Sequence, residues 1–388
     1  MTWKPDRRRV AVVYPHLPHY RYGVFLELEK RLSDILFITG GQSRDGTISV
    51  IPPGTFRREA AVRNRWLGPF LWQRGLGTVL RKFDPEVVIF LGDVSHLSTW
   101  VNAVTSRIRG RRVLFWTIGW HRPEGGIRRL IRMFFYRLSD LLLLYGTTGQ
   151  RIGVDLGFPR DRTRVVYNSH SSLSDAPSAA LVPELLPPPD RPTIGAVLRL
   201  TRTKQLEAII ETVAEVNRRS TLGACCLIVG EGPERERLET QAAAAGVDLY
   251  LPGAIYSVDA LEEVYRRIDV TLVPVAAGLT VLQSLNAGTP VVTVADAYRQ
   301  MPEFEAIIDG RTGTLTSDLD PREFAIASLF WLRQIGQYGE SIANEIRALT
   351  NSRWSPTAQA DAIVKAVNFA VITPGFGQVV RRHVARRR

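Results

Sequence analysis

Cysteine is nearly missing from this chain: two of 388 residues, adjacent at Cys225 and Cys226. Neighbours on a strand point to opposite faces, so the pair reads as buried apolar filler rather than a disulfide or a shared metal site. Long apolar runs are missing too. Leu141–Leu144 is bounded by Arg137 and Asp140, well short of the roughly 18 residues that a spanning helix needs. Negative charge is in deficit, with 38 acidic against 50 basic residues. The resulting +12 suits an anionic partner: nucleotide sugar, nucleic acid or acidic lipid. The excess is scattered and shows no basic–aromatic interleaving, which argues against nucleic acid. No His, Cys, Asp or Glu spacing suggests a metal site. Near the start, Arg7, Arg8 and Arg9 precede a short apolar run at 10–14 and then Pro15. That run is too short for a leader peptide, so it reads as a first strand of a cytoplasmic protein.

What is present is alternation. The length suits two domains of similar size. Short β-branched runs at 10–14, 35–38, 87–91 and 113–116 alternate with helical stretches at 22–32, 72–82 and 99–109. Residues 171–192 concentrate Ser, Pro and Asp, as a tether does. The alternation then restarts, with strands expected at 193–198, 225–229, 249–251, 270–274 and 291–294, and helices at 204–218, 234–245, 260–267 and 280–287. The expectation is an α/β protein of two Rossmann-like domains facing across a cleft: 1–175, a linker at 176–192, then 193–355. A C-terminal helix and basic tail occupy 356–388, with the stretch 357–369 packing back across the junction. Open α/β sheets bind ligands beyond the carboxyl ends of their strands.

Four segments of the second half bear on chemistry. Arg199 and Lys204 lie five apart where a strand runs into a helix, so they could converge on a diphosphate; a solvated basic loop has the same composition. In the segment 277–292, Gly278 follows a strand, and the free N–H groups of the next helix could hold phosphate oxygens, or simply open a helix. Gln283 sits one turn further on, within reach of ribose hydroxyls. Gly230 and Gly232 shape a tight turn before Pro233, which geometry alone could require. The loop at 252–255, ending in Ile255, could read a base edge.

Together these segments resemble the C-terminal domain of family-four retaining glycosyltransferases, which have the two-Rossmann GT-B architecture. The resemblance rests on the order and spacing of the RL-x-x-x-K, G-x-G-P, P-G-x-hydrophobic and G-L-T-V-L-Q-S-L-x-A-G-x-P-V-V motifs over 194–314. It is looser in the first half, at Tyr145-Gly-Thr-Thr, Leu156-Gly-Phe-Pro and Val166-Tyr-Asn168-Ser169. By that resemblance Arg199 and Lys204 neutralise the diphosphate of a nucleotide-sugar donor, while Gly278, Leu279 and Thr280 bind it through their backbone. The family often carries two Glu with seven residues between them; Val275 and Gln283 occupy those positions here.

The resemblance also implies a His near the acceptor, for which His121 is the candidate, a loop His on a half-exposed surface being the alternative. His16, His19 and Asp93, with His96, follow strands one and three where an acceptor could lie. Glu303 or Glu305 could contact either substrate. Residues 127–137 mix apolar bulk with arginines at helical spacing, and 381–388 is a basic tail; both could touch anionic membrane lipid. The implied activity is a retaining hexosyl transfer from a nucleotide sugar to a carbohydrate or lipid-linked glycan in polysaccharide biosynthesis. It needs no metal or cofactor, in the cytoplasm or peripherally on the inner membrane face. The alternatives are a nucleotide-sugar epimerase and a non-catalytic nucleotide-sugar-binding subunit.

Overall fold

The computed structural model describes residues 6–44, 48–170 and 185–372. It divides into two compact units: one from the described residues of Met1–Ser172 and Pro356–Arg388, the other from those of Leu173–Ser355. Part of the expected linker and the whole basic tail lie outside the described residues.

The first unit contains β1 (Asp6–Tyr14), α1 (Tyr22–Arg31), β2 (Leu32–Thr39), β3 (Glu59–Ala61), β4 (Arg63–Leu67), β5 (Phe70–Arg74), α2 (Leu76–Phe83) and β6 (Val87–Leu91). It continues with α3 (Leu97–Ile108), β7 (Arg112–Thr117), α4 (Gly126–Arg137), β8 (Leu141–Leu144), α5 (Thr147–Asp155) and β9 (Thr163–Val165). Seven strands form a parallel sheet in the order β3-β2-β1-β6-β7-β8-β9. Helices cover both faces of such a sheet, so its strands read as unbroken apolar runs. The Leu141–Leu144 run is one of these, with all four residues at 1% exposure or less.

The second unit repeats the plan: β10 (Thr193–Val197), α6 (Glu207–Arg219), β11 (Cys225–Val229), α7 (Arg235–Ala245), β12 (Leu249–Tyr250), α8 (Val258–Arg267) and β13 (Val270–Leu272). Then come α9 (Leu279–Ala287), β14 (Val291–Val294), β15 (Gly313–Thr316), α10 (Pro321–Tyr338) and α11 (Glu340–Trp354). Its parallel sheet has the order β12-β11-β10-β13-β14-β15. Cys225 and Cys226 are buried free thiols on β11, as their composition suggested.

Both sheets start in the middle. In the first, the chain runs outward from β1 to β3 and returns to pair β6 on the other flank of β1; in the second, β10 stands between β11 and β13. Where the winding reverses, successive loops diverge and leave space at the strand ends. That reversal places the loops after β1 and β6 together, and likewise those after β10 and β13.

Two local expectations need correction. Residues 72–82 are not one helix. Residues 72–74 complete β5, which pairs antiparallel with β4; Gly75 then turns the chain with φ 93°, and α2 starts at Leu76. The strand follows from alternation, since 70–74 read exposed, buried, exposed, buried, exposed. Nor does a helix start at Lys204: Arg202–Lys204 is a single 3-10 turn, Gln205 takes a left-handed φ of 51°, and α6 begins at Glu207.

The last helix, α12 (Pro356–Ile372), belongs to the first unit. It packs along α1, and Arg31 Nε donates to Asp361 at 2.6 Å. The fully buried Gln359 donates to the Tyr167 carbonyl at 2.6 Å and accepts from Ser169 Oγ at 2.7 Å. Ile363 is 0% exposed on the same helix. Ile363→Ala is therefore expected to cost about 2–4 kcal/mol, read by denaturant unfolding of the first unit; an unchanged midpoint would show that α12 contributes no core.

Candidate functional site

The segments after β10 and β11 lie side by side. Beyond the strands the ladder continues, with Leu198 N–H donating to Val229 at 2.9 Å and Leu200 N–H to Glu231 at 3.0 Å. Gly230 N–H donates to the Gly253 carbonyl at 2.9 Å, which draws in the loop that carries the half-buried Ile255. Gly230 has φ 152°, and a Cβ there would stand 1.9 Å from the Leu198 carbonyl oxygen; at Gly232 the equivalent distance to Leu200 is 2.2 Å. These glycines are thus required by close backbone approach, and they press against the chain on both sides of Arg199.

The loop after β13 joins the same assembly through side chains distant in sequence. Lys204 Nζ donates to the Ala276 carbonyl at 3.2 Å. Ala276 N–H donates to the Arg299 carbonyl at 3.0 Å, and Ala277 N–H to Gln300 Oε1 at 2.8 Å. These bonds hold Ala276 at a left-handed φ of 52°, a conformation that a non-glycine residue keeps only when its surroundings impose it. Gln300 is 1% exposed, and its amide donates to Thr293 Oγ1 and the Val294 carbonyl, both at 3.0 Å. Sequence reasoning missed Gln300 and Arg299, because nothing in a polar loop signals an inward-facing amide.

The helix that follows opens without a side-chain cap at Gly278. Its first internal bond runs from Val281 N–H to the Gly278 carbonyl at 2.9 Å, so the amides of Leu279 and Thr280 precede the ladder. Thr280 Oγ1 donates to the Val197 carbonyl at 2.8 Å, which ties the start of α9 to the end of β10, two residues before Arg199. Buried Tyr265 hydrogen-bonds Thr280 Oγ1 at 3.3 Å and donates to Gln283 Oε1 at 3.5 Å, and burial pushes its phenol pKa up. A Cβ at Gly278 would meet Met301 Cγ at an ordinary 3.6 Å, with φ −110°, so the protein's own packing does not demand glycine there. Val275 is 7% exposed.

The electrostatics are one-sided. Nine arginines of this unit, from Arg191 to Arg347, are in ion pairs with carboxylates. Arg199 and Lys204 form none among the described residues. Arg199 is exposed; Lys204 is half-buried, and desolvation lowers the pKa of its ammonium. Glu303 is buried and Glu305 half-buried in the 3-10 turn Pro302–Ala306. Among the described residues no group of three or more His, Cys, Asp or Glu is placed to hold a metal ion.

In the first unit all five described histidines lie beyond carboxyl ends of the sheet: His16 and His19 after β1, His96 after β6, His121 after β7 and His170 after β9. His19 Nδ1 lies 3.0 Å from the Ser49 carbonyl. The exposed Asp93 accepts from Ser95 N–H at 2.8 Å and Ser95 Oγ at 2.7 Å, so its carboxylate shapes its own turn. Burial lowers the pKa of His96, offset in part by Asp93 and reinforced by His16. Half-buried His121 is lowered by desolvation and by Arg122. His170, which sequence reasoning passed over, is brought down to about 4 by burial and by His19.

Two measurements follow. Gly230→Ala is expected to cost about 2–4 kcal/mol of the second unit's stability, because a backbone carbonyl must move, whereas Gly278→Ala stays within about 1 kcal/mol. Equal costs would contradict the packing described. In acid, the unfolded chain takes up a proton on His170 near pH 6.5 that the folded chain refuses until about pH 4, so stability falls as pH drops through that window. His170→Asn should flatten the fall of the thermal midpoint over this range, leaving the smaller slope of His96 and His121.

Comparison with known proteins bears on the fold and on the family of the second unit. Residues 191–334 match the family model described as Glycosyl transferases group 1. The chain is 27% identical over 254 residues to a D-inositol 3-phosphate glycosyltransferase 2 of Catenulispora acidiphila; the match covers 61% of this chain and 55%, about half, of that protein. Among solved structures, HepE of Anabaena in complex with UDP and glucose superposes with a TM-score of 0.64 at 15% identity, over 93% of this chain and 100% of that one. Sucrose-phosphate synthase of Thermosynechococcus elongatus gives 0.63 at 15% identity, over 94% and 100%. The chain therefore has the GT-B fold, and the loops after β10, β11 and β13 lie inside the stretch, residues 191–334, that matches the group 1 glycosyl transferases.

Proposed function

We propose that the chain is a glycosyltransferase that takes a sugar from a nucleotide-sugar donor, with the donor diphosphate held by Arg199, Lys204 and the amides at the start of α9. The observation that carries this reading is the Lys204–Ala276 hydrogen bond, which brings the cationic turn after β10 to the loop that launches α9. It is supported by the absence of ion pairs on both cations among the described residues and by the family match over 191–334. The HepE complex with UDP and glucose makes a uridine diphosphate donor the first to test.

The chemistry suits such a site. As the diphosphate departs, negative charge accumulates on its oxygens while the sugar becomes oxocarbenium-like. Fixed cations and helix-terminal amides beside those oxygens favour the transition state over the ground state. Lys204, partly desolvated and without a carboxylate partner, recovers its lost hydration by meeting phosphate. The space at Gly278, which internal packing does not require, leaves room for a phosphate against the backbone. Gln283 faces a ribose hydroxyl in this reading, and Gly230 and Ile255 shape the wall for the rest of the nucleotide. No resident metal or organic cofactor is invoked, because the two side-chain cations take that role. Retention at the anomeric carbon, a hexosyl donor and a carbohydrate or lipid-linked acceptor in glycan biosynthesis complete the proposal, with His121, His16, His19 and Asp93 on the acceptor side. His121, below its ordinary pKa and so neutral near pH 7, can accept a proton.

One observation favours a second reading, a nucleotide-sugar-binding protein without turnover: buried Val275 offers no carboxylate or hydroxyl where the resembled family often has Glu. Thermal shift and transfer assays separate the two. UDP or UDP-glucose at about 100 times its Kd should stabilise the protein by about 2.7 kcal/mol. Arg199→Ala and Lys204→Ala should each remove most of that shift, and each should lower kcat by on the order of 100-fold. A full shift in both variants refutes the donor site, while a normal shift without transfer to any acceptor selects the second reading.

A further inference from the structure

The first unit carries a surface that sugar transfer does not use. In the β4–β5 hairpin the register pairs Arg63 with Arg74, Arg65 with Trp72 and Leu67 with Phe70. Strand alternation puts these six on one face. All six are exposed, with Leu67 at 68% and Phe70 at 46%.

The opposite face is anchored. Gln73 Nε2 donates to the Tyr14 carbonyl at 3.1 Å, Asn64 Nδ2 to the Pro15 carbonyl at 2.8 Å and Leu71 N–H to the Ser95 carbonyl at 3.0 Å. The Trp66 ring stands edge-on to His96 at 6.3 Å. With its polar bonds made on the inside, the ribbon cannot roll its apolar residues inward. Their exposure is a built feature that costs hydrophobic free energy unless something covers it.

The outer face is graded along its length. The apolar pair flanks the Gly68-Pro69 turn, Trp72 and Arg65 come next, and two arginines stand last, about 14 Å behind the tip at about 3.4 Å per residue. The exposed surface continues onto α3 at Val101, Val104 and Ile108, and onto α4 at Ile127, Leu130 and Phe134, both at helical spacing. Trp72 and Val101 line one cavity, and Trp100 stacks on Phe134 with centroids 6.0 Å apart. The four elements hold eight arginines and no acidic residue; Arg107 pairs with Asp140 and Arg132 with Glu124, and the other six form no ion pair among the described residues.

We infer that the outer face of this hairpin, continued by α3 and α4, docks on an anionic lipid bilayer. An apolar tip that sinks about 5–10 Å past the headgroups leaves the arginines level with lipid phosphates and the indole at the boundary between them. A surface whose hairpin arginines form no ion pair among the described residues complements a plane of fixed negative charge; a protein partner would have to be uniformly acidic to fit it equally well. Docking would also set the loops of His16, Asp93 and His96 at the bilayer, because the inner face of the ribbon is fastened to them.

Flotation of the full chain with vesicles tests this. We expect binding to phosphatidylcholine vesicles containing about one third phosphatidylglycerol and little binding to phosphatidylcholine alone. Replacing Arg63, Arg65 and Arg74 with Gln should weaken binding by on the order of 100-fold, and L67S with F70S should weaken it at every salt concentration. These exposed changes should leave the thermal midpoint and the UDP-induced shift unaltered, so a loss of binding is not a loss of fold or of the donor site. Equal binding to neutral vesicles, full binding by both variants, or a concentration-dependent dimer abolished by L67S with F70S in place of vesicle binding would each overturn the inference.

Discussion

Much of the second unit's candidate site depends on one strained peptide. Ala276 sits at a left-handed φ because three hydrogen bonds converge on it and on Ala277, from Lys204, the Arg299 carbonyl and Gln300. Those partners come from the loops after β10 and β14, so the clamp joins loops on both flanks of β13. The clamp sets where α9 starts and which way its first amides point. Were the site to hold a diphosphate, as proposed, such pre-ordering would serve it, since amides that had to reorganise on binding would contribute less to holding it.

The winding of the sheets explains why these loops meet at all. In both units the first strand is central, and the reversal of strand order beside it spreads successive loops apart at one end. In the second unit the space is edged by glycines that let backbone touch backbone and by cations that form no ion pair among the described residues. In the first it is edged by histidines, several held below their ordinary pKa by burial. One plan thus sets cations at the strand ends of one unit and histidines at those of the other.

Charge placement separates structural arginines from the rest. Most arginines on the helices of the second unit are neutralised within a turn, as Glu215 pairs with Arg218 and Arg219. Such pairs contribute little to stability but cancel the local field. Among the described residues, the cations beyond β10 and on the outer face of the β4–β5 hairpin lack this cancellation. A net +12 spread over the whole chain says little; what bears on the two proposals is that the charge is left uncancelled at two particular places.

The alternation of β-branched runs and amphipathic stretches made both parallel sheets legible, because a strand covered on both faces must be apolar throughout, as in residues 87–91 and 225–229. The order of the Arg199, Gly230, Ile255 and Gly278 segments singled out loops that the structure brings together beyond the strands of the second sheet. Other features were hidden for physical reasons. The β5 strand looked helical because five residues are too few to separate the two periods, and Gln300 looked like any loop amide until its bonds to Thr293, Val294 and Ala277 were visible. Gly230 and Gly278 look alike in the sequence, yet only the fold separates the glycine that a neighbouring carbonyl requires from the one that packing leaves unconstrained. Local pattern thus determined which segments became strands and which carried charge, since both follow from neighbours a few residues apart. Tertiary structure alone decided that Lys204 meets Ala276, because a contact across 72 residues is set by strand order, which no local period records.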